Sequence, residues 1–271
     1  MLMSKWIDNK TVIITGASSG IGKMLAERLM KEHNCKVIGV ARSEKKMLNF
    51  IEELGDYAKL FSYKLFDVSS YDNWQIFHDW LVENDIKPDV LINNAGVLPR
   101  FDRLMNYTKE EIDESINIDF YSAAYSSKIM LPLLMESETP AIVNVASSAA
   151  LMALGGTSMY SASKAAVKGL TEAMREELRG EAYIGLVCPG FTKTDIFRNQ
   201  GETNGMDLIN MVSTPCDKAV NRILKGILRK KSYIVVGFDG NAMGRFNRLI
   251  PVQGSRLYST VIKAFKINLF D

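Results

Sequence analysis

Tyr160 and Lys164, four residues apart in Tyr160-Ser161-Ala162-Ser163-Lys164, put a phenol and an ammonium on one face of a helix. A phenol ordinarily titrates near ~10. Fixed positive charge beside it favours the phenolate, which makes the pair an acid–base device usable near neutral pH. Tyr and Lys at this spacing also occur on ordinary solvated helix faces, so the pair gains meaning from its companions. One companion is the run Thr15-Gly16-Ala17-Ser18-Ser19-Gly20-Ile21-Gly22, which follows a β-branched stretch and opens a helical pattern. Gly16, Gly20 and Gly22 permit a tight turn, and the amides around Ser18, Ser19 and Ile21 can meet a pyrophosphate at the helix N-terminus, where the dipole favours an anion. The spacing is Gly-x-x-x-Gly-x-Gly, distinct from the generic dinucleotide fingerprint, and it lacks the Lys-Ser/Thr ending of an ATP-binding P-loop. His33 and His78, the only histidines, fall on helical segments outside these motifs, so neither a His-based triad nor a metal site is expected.

The elements that must position these groups follow from hydrophobic periodicity. β-Branched runs at 11–15, 36–41, 60–68, 89–93, 141–147, 183–188 and 232–237 read as strands, and helical patterns lie at 21–32, 71–84, 103–134, 157–179 and 216–230. Seven strands joined by helical crossovers imply an α/β fold, a single doubly wound domain with a mostly parallel seven-stranded sheet covered on both faces. No linker or repeat interrupts residues 1–239, and 240–271 forms a C-terminal extension on the same domain or at an interface. The irregular stretch 190–215 has the length of a lid rather than of a simple connection.

With 271 residues, 47% hydrophobic and 24% charged, the chain can bury the core of one large domain. Its 33 basic and 31 acidic residues give no footprint for nucleic acid or an acidic partner. Cys35, Cys188 and Cys216 show neither disulfide nor metal-ligand spacing, which points to the cytoplasm. The first ten residues are charged and broken by Asp8, so a soluble or peripheral protein is expected.

The glycine run, Asn93-Asn94-Ala95-Gly96, Ser147, the Tyr160 and Lys164 pair, and Pro189-Gly190 together resemble the classical short-chain dehydrogenase/reductase family over about residues 10–237. That resemblance implies a Rossmann domain, a nicotinamide cofactor, and hydride transfer between the cofactor and a ketone or secondary alcohol. It implies that Tyr160 passes a proton to or from the substrate oxygen, while Lys164 lowers its pKa and holds the nicotinamide ribose. Ser147, thirteen residues before Tyr160, matches the serine that hydrogen-bonds the substrate oxygen, with Ser148 as the competing choice. Asn117 matches the asparagine of a water relay to the lysine. Asn94, Ala95 and Gly96 would line the adenine-ribose side, Asp67 and Val68 the adenine, and Pro189, Gly190, Thr192 and Thr194 the nicotinamide end. Asn93 would stabilise the sheet. The helix at 157–179, with Ala162, Ala165, Ala166, Gly169 and Ala173, implies a homodimer or homotetramer.

The second strand ends Val40-Ala41-Arg42-Ser43, where a fold preferring NAD places a carboxylate on the ribose hydroxyls. Arg42 instead offers a donor fork suited to a 2′-phosphate, with Ser43 beside it, so NADP(H) is the expected cofactor. Ser19 stands where some members of the family add a second basic residue. An arginine merely extending from a strand end is the alternative. Leu98, Ala149, Leu151, Met152, Phe191, Phe197, Met206 and Met211 fall near the family's pocket, and such a wall suits a hydroxysteroid or another bulky apolar ketone or alcohol. Similarity to acyl-carrier-protein ketoreductases keeps a 3-oxoacyl thioester open, and a cofactor-binding sensor with little chemistry is the alternative of another class. The extension from 240 interleaves basic and apolar residues, which fits a pocket wall, a subunit interface or peripheral membrane contact.

Overall fold

The computed structural model describes residues 6–194, 196, 213–250, 253, 256 and 260. Seven parallel strands form one sheet in the order β3-β2-β1-β4-β5-β6-β7. They are β1 Thr11–Thr15, β2 Lys36–Ala41, β3 Phe61–Leu65, β4 Val90–Asn93, β5 Ala141–Val145, β6 Tyr183–Pro189 and β7 Tyr233–Val236. β1 shows why these runs are strands without polar alternation: Val12, Ile13 and Ile14 lie beside β2 on one side and β4 on the other, and both sheet faces are covered. Val12 and Ile14 face a core with Leu25 and Leu29 of α1 (Gly20–His33) and Ile223 and Ile227 of α7 (Cys216–Leu228). Ile13 faces the opposite core, with Trp74 and Phe77 of α3 (Tyr71–Glu83) and Met130 and Leu134 of α5 (Ser122–Leu134).

Two elements depart from the periodicity reading. Residues 44–54, which carry no expected helix, form α2 (Glu44–Leu54), with Met47, Phe50 and Leu54 buried along one face. Ser43 caps this helix by accepting from the Lys46 amide at 3.5 Å. The single helix expected over 103–134 is instead broken. A capping box of Thr108 and Glu111 starts α4 (Lys109–Ile116), a π turn runs through Asn117–Tyr121, and α5 follows. The helix α8 (Phe238–Leu249) crosses the expected boundary at 239/240 and packs on the turn Ser148–Ala150 and on β7.

The sheet order reverses between β1 and β4, and a crevice opens there at the carboxyl ends of the strands. Beneath it, buried amides hold β4, β5 and the helix α6 (Ser158–Glu177) together. Asn93 Nδ2 donates to Asn144 Oδ1 at 2.9 Å, Asn144 Nδ2 donates to Thr171 Oγ1 at 2.9 Å, and Ser126 Oγ donates to Asn93 Oδ1 at 2.7 Å. Each polar group in this chain has a partner, so the network fixes α6 against the sheet rather than weakening the core. Among the described residues, no helix is long and apolar enough to cross a membrane, and no group of His, Cys, Asp and Glu could hold a metal ion.

Candidate active site

The turn from β1 into α1 forms the floor of the crevice. Gly16 adopts φ 66°, a left-handed conformation that side chains disfavour. At Gly22 a Cβ would sit 2.4 Å from both Asn94 Nδ2 and the Gly16 carbonyl oxygen, so only glycine lets the helix approach the turn. Asn94 closes the other side, donating its Nδ2 to Thr15 O at 3.0 Å, while Thr15 Oγ1 accepts from the Asn94 and Ala95 amides at 2.9 Å each. The first turn of α1 carries no acidic side chain, which leaves its amides and dipole fit for a phosphate.

A cleft of about 300 Å³ opens above this turn. Gly16, Ser19, Gly20, Ile21, Asn94, Ala95 and Gly96 line one end, and Pro189 at the end of β6 lines it together with Gly190, Thr192 and Thr194 of the loop that follows. Ser147, Tyr160 and Lys164 line the same cleft. Ser147 is placed by the sharp turn after β5, where its Oγ accepts from the Ala149 amide at 3.1 Å. Ser148 also lines the cleft, but Ser147 is the serine that acts on the Tyr160 phenol, favouring its phenolate. Lys164 Nζ lies 5.7 Å from the centre of the Tyr160 ring.

The electrostatics differ from the simple expectation of a lowered phenol pKa. Burial pushes Tyr160 above its ordinary value, Lys164 pulls against that, and Asp119 adds to it. For Lys164, burial disfavours the ammonium, yet Asp119 and the Tyr160 oxygen hold its pKa above the ordinary value. Asp119 is the residue that reaches the lysine: its Oδ1 lies 3.2 Å from Lys164 Nζ. Asn117, expected in this role, is exposed at the end of α4. Asp119 lies in the π turn on a buried stripe with Ser115, Ser122 and Ser126, and Asn117 lies off that stripe.

Other expected residues lie apart from the cleft. Arg42 is exposed at the end of β2, and Ser43 is occupied as a helix cap. Asp67 is exposed and accepts from the Ser69 amide and hydroxyl at 3.0 and 2.8 Å, while Val68 is buried in the core. Ser18 is partly buried near the turn and does not line the cleft.

Of the expected pocket residues, Leu98, Ala149 and Phe191 line the cleft. Leu151 and Met152 do not: they line a neighbouring recess, and Met152 packs behind the wall with Leu154 and Met243. Phe197, Met206 and Met211 fall outside the described residues. Phe101, Val145, Ala146, Leu154, Thr157, Ile196 and Met243 complete the lining without having been expected. Met243 comes from α8, whose Asp239 accepts from the Phe191 amide at 2.7 Å and so ties the helix to the loop after β6. Burial raises the Asp239 carboxyl, and the amides it accepts from oppose that shift.

A doubly wound sheet whose switch-point crevice combines a phosphate-ready glycine turn with a Ser, Tyr and Lys set defines a nicotinamide-dependent oxidoreductase. The model of the short chain dehydrogenase family matches residues 10–205, and the chain belongs to that family. It is 32% identical over 234 residues to a ketoacyl reductase of Nostoc, covering 85% of this chain and 79% of the relative. It is also 32% identical over 237 residues to an 11-beta-hydroxysteroid dehydrogenase-like protein of Arabidopsis thaliana, covering 84% and 74%. Among solved structures, a short-chain dehydrogenase from Sphingobium yanoikuyae in complex with NADPH superposes with a TM-score of 0.76 at 26% identity, covering 93% of this chain and 95% of that one.

Proposed function

We propose that the protein is an NADP(H)-dependent carbonyl reductase, able to run in reverse as a secondary-alcohol dehydrogenase, on a bulky apolar substrate of the hydroxysteroid type. The observation that carries this reading is that Ser147, Tyr160 and Lys164 line one cleft whose remaining walls include Leu98, Phe101, Leu154, Phe191 and Met243. Such a wall favours a rigid hydrocarbon skeleton, and the three polar groups orient one oxygen on it.

A nicotinamide cofactor bound in the cleft supplies hydride to the carbonyl carbon. The Ser147 hydroxyl and the Tyr160 phenol donate to the carbonyl oxygen and stabilise the charge that builds there. The Tyr160 proton moves to that oxygen, and the phenolate left behind is stabilised by the Lys164 ammonium. Gly16, Gly20, Gly22 and the first turn of α1 would hold the phosphates, Asn94 to Gly96 the adjoining ribose side, and Thr192 and Thr194 the nicotinamide end. An exposed Arg42, with Ala41 leaving no carboxylate beside it, supports NADP(H) over NAD(H). Asp67 and Val68 are the candidates for the adenine.

Reduction of a 3-oxoacyl thioester is the second reading, and the similarity to the Nostoc ketoacyl reductase supports it. A cofactor sensor needs the glycine turn and Arg42 but has no use for Ser147, Tyr160 and Lys164 together. The exposed small residues Ala162, Ala165, Gly169 and Ala173 on α6 support a homodimer or homotetramer, and free cysteines support a cytoplasmic site. NADPH and NADH oxidation across sterol ketones, small ketones and acyl thioesters tests the reading. Turnover of sterol ketones with NADPH is expected, and thioester turnover alone would transfer the assignment to the second reading.

A further inference from the structure

α8 turns two different faces to its surroundings. Met243 is buried against Met152 and Leu154 and lines the cleft, and Asp239, the only acid of the helix, is taken up by the Phe191 amide at 2.7 Å. Phe238, Arg245 and Leu249, at i, i+7 and i+11, share the side away from Met243. All three are exposed, Phe238 by 90% and Leu249 by 79%. Single apolar residues in water are ordinary. Here two of the three most exposed large apolar side chains among the described residues lie on one helix face. They stand about 16 Å apart along the axis. A base lies between them, and no acid shares the face.

The near-neutral chain divides its charge unevenly. Residues 216–271 hold 11 of the 33 basic residues and 3 of the 31 acidic ones, so this stretch is strongly positive while residues 1–215 are net acidic. α7 and β7 place much of it at one end of the sheet, where β7 is the edge strand. Along α7 and its C-cap, Lys218, Arg222, Lys225 and Arg229 recur at i, i+4, i+7 and i+11, all exposed, opposite the buried Val220, Ile223, Leu224 and Ile227. Past Leu249 the sequence adds Arg256, Lys263 and Lys266 against Asp271 alone. A nucleic acid or an acidic protein would satisfy the bases but offer nothing to Phe238 and Leu249, whereas an anionic bilayer takes both kinds of group.

We propose that the outer face of α8 docks on an anionic phospholipid surface, with Phe238 and Leu249 entering the boundary between headgroups and acyl chains and Arg245 meeting lipid phosphate. At 12 residues the helix is too short to cross a bilayer, so the contact is peripheral. Docking in this way lays the cleft, which the other face of α8 lines through Met243, beside the phase in which an apolar ketone dissolves. The docking itself does not rest on the proposed reaction.

The test is co-sedimentation of the full chain with vesicles of phosphatidylcholine alone and of phosphatidylcholine mixed with phosphatidylglycerol, in wild type, Phe238→Ser combined with Leu249→Ser, and Arg245→Glu. Wild type should bind the anionic vesicles at least about tenfold more tightly than the neutral ones and should be released as salt rises. The double variant and Arg245→Glu should each lose about tenfold in affinity for the anionic vesicles, with circular dichroism unchanged. Arg245→Glu alone carries the test should the double variant not fold. Wild type that stays in the supernatant, equal binding to both vesicles, or variants that bind as wild type does would overturn the proposal. Retention on heparin without vesicle binding would give the face to a soluble polyanion and overturn it as well. Neither cofactor nor substrate enters the assay, so failure here is separate from failure of the proposed reaction.

Discussion

On the proposed reading the choice of cofactor turns on Arg42, which stands exposed at the end of β2 with no acidic residue beside it in Val40-Ala41-Arg42-Ser43. Arg42→Asp removes the donor fork and puts a carboxylate where a 2′-phosphate would lie. The ratio of kcat/KM for NADPH over NADH should fall by roughly a hundredfold, the sum of a lost charge-assisted bond and a new repulsion. An unchanged ratio would show that another residue reads the phosphate. At this scale much of the site was legible, because Tyr160, Lys164, Ser147 and the three glycines announce themselves by type and spacing. Asn117 was misread because it was chosen by residue type. The better signal was positional: Ser115, Asp119, Ser122 and Ser126 recur at helical spacing as the polar members of a buried face, and Asn117 lies off that stripe.

Elements decide where those residues end up, and three of them were not readable in advance. α2 buries Met47, Phe50 and Leu54, but an exposed Leu48, a half-buried Ile51 and the charged residues Glu44, Lys45, Lys46, Glu52 and Glu53 obscure the periodicity. The π turn Asn117–Tyr121 leaves no local signature in the sequence, since its extra residue is accommodated by packing against α6. α8 brings Met243 into the cleft from far along the chain, a contact that only the clasp between Asp239 and Phe191 makes visible. Met243→Ala should therefore raise KM for bulky apolar ketones by about tenfold, the loss of one apolar contact of roughly 1.5 kcal/mol. Small ketones should stay within about twofold of wild type. Equal effects on both classes would mean that Met243 supports the loop after β6 without touching the substrate.

At the scale of the whole molecule the sheet was the most legible feature, because strands buried on both faces appear as unbroken apolar runs such as Val12-Ile13-Ile14 and Val90-Leu91-Ile92. Strand order was not contained in those runs; it follows from the crossovers and places the crevice between β1 and β4. Assembly belongs to this scale too. Gly169 is exposed on α6, and a Cβ there would meet nothing within 4 Å, so Gly169→Arg should leave the protomer folded. If α6 is the face through which copies associate, that variant should sediment as a smaller species with unchanged circular dichroism. Unchanged sedimentation of an oligomeric protein would move the interface elsewhere.

The central claim is that the fold brings Tyr160 to a substrate oxygen as its proton donor, held by Lys164 and seconded by Ser147. NADPH oxidation by wild type and Tyr160→Phe, each supplied with a sterol ketone that the wild type reduces, addresses it most directly. Loss of a single positioned proton donor should lower kcat by at least about a hundredfold, while NADPH affinity, read by cofactor fluorescence, stays within about twofold. Activity within tenfold of wild type in Tyr160→Phe, with NADPH still bound, would contradict the account.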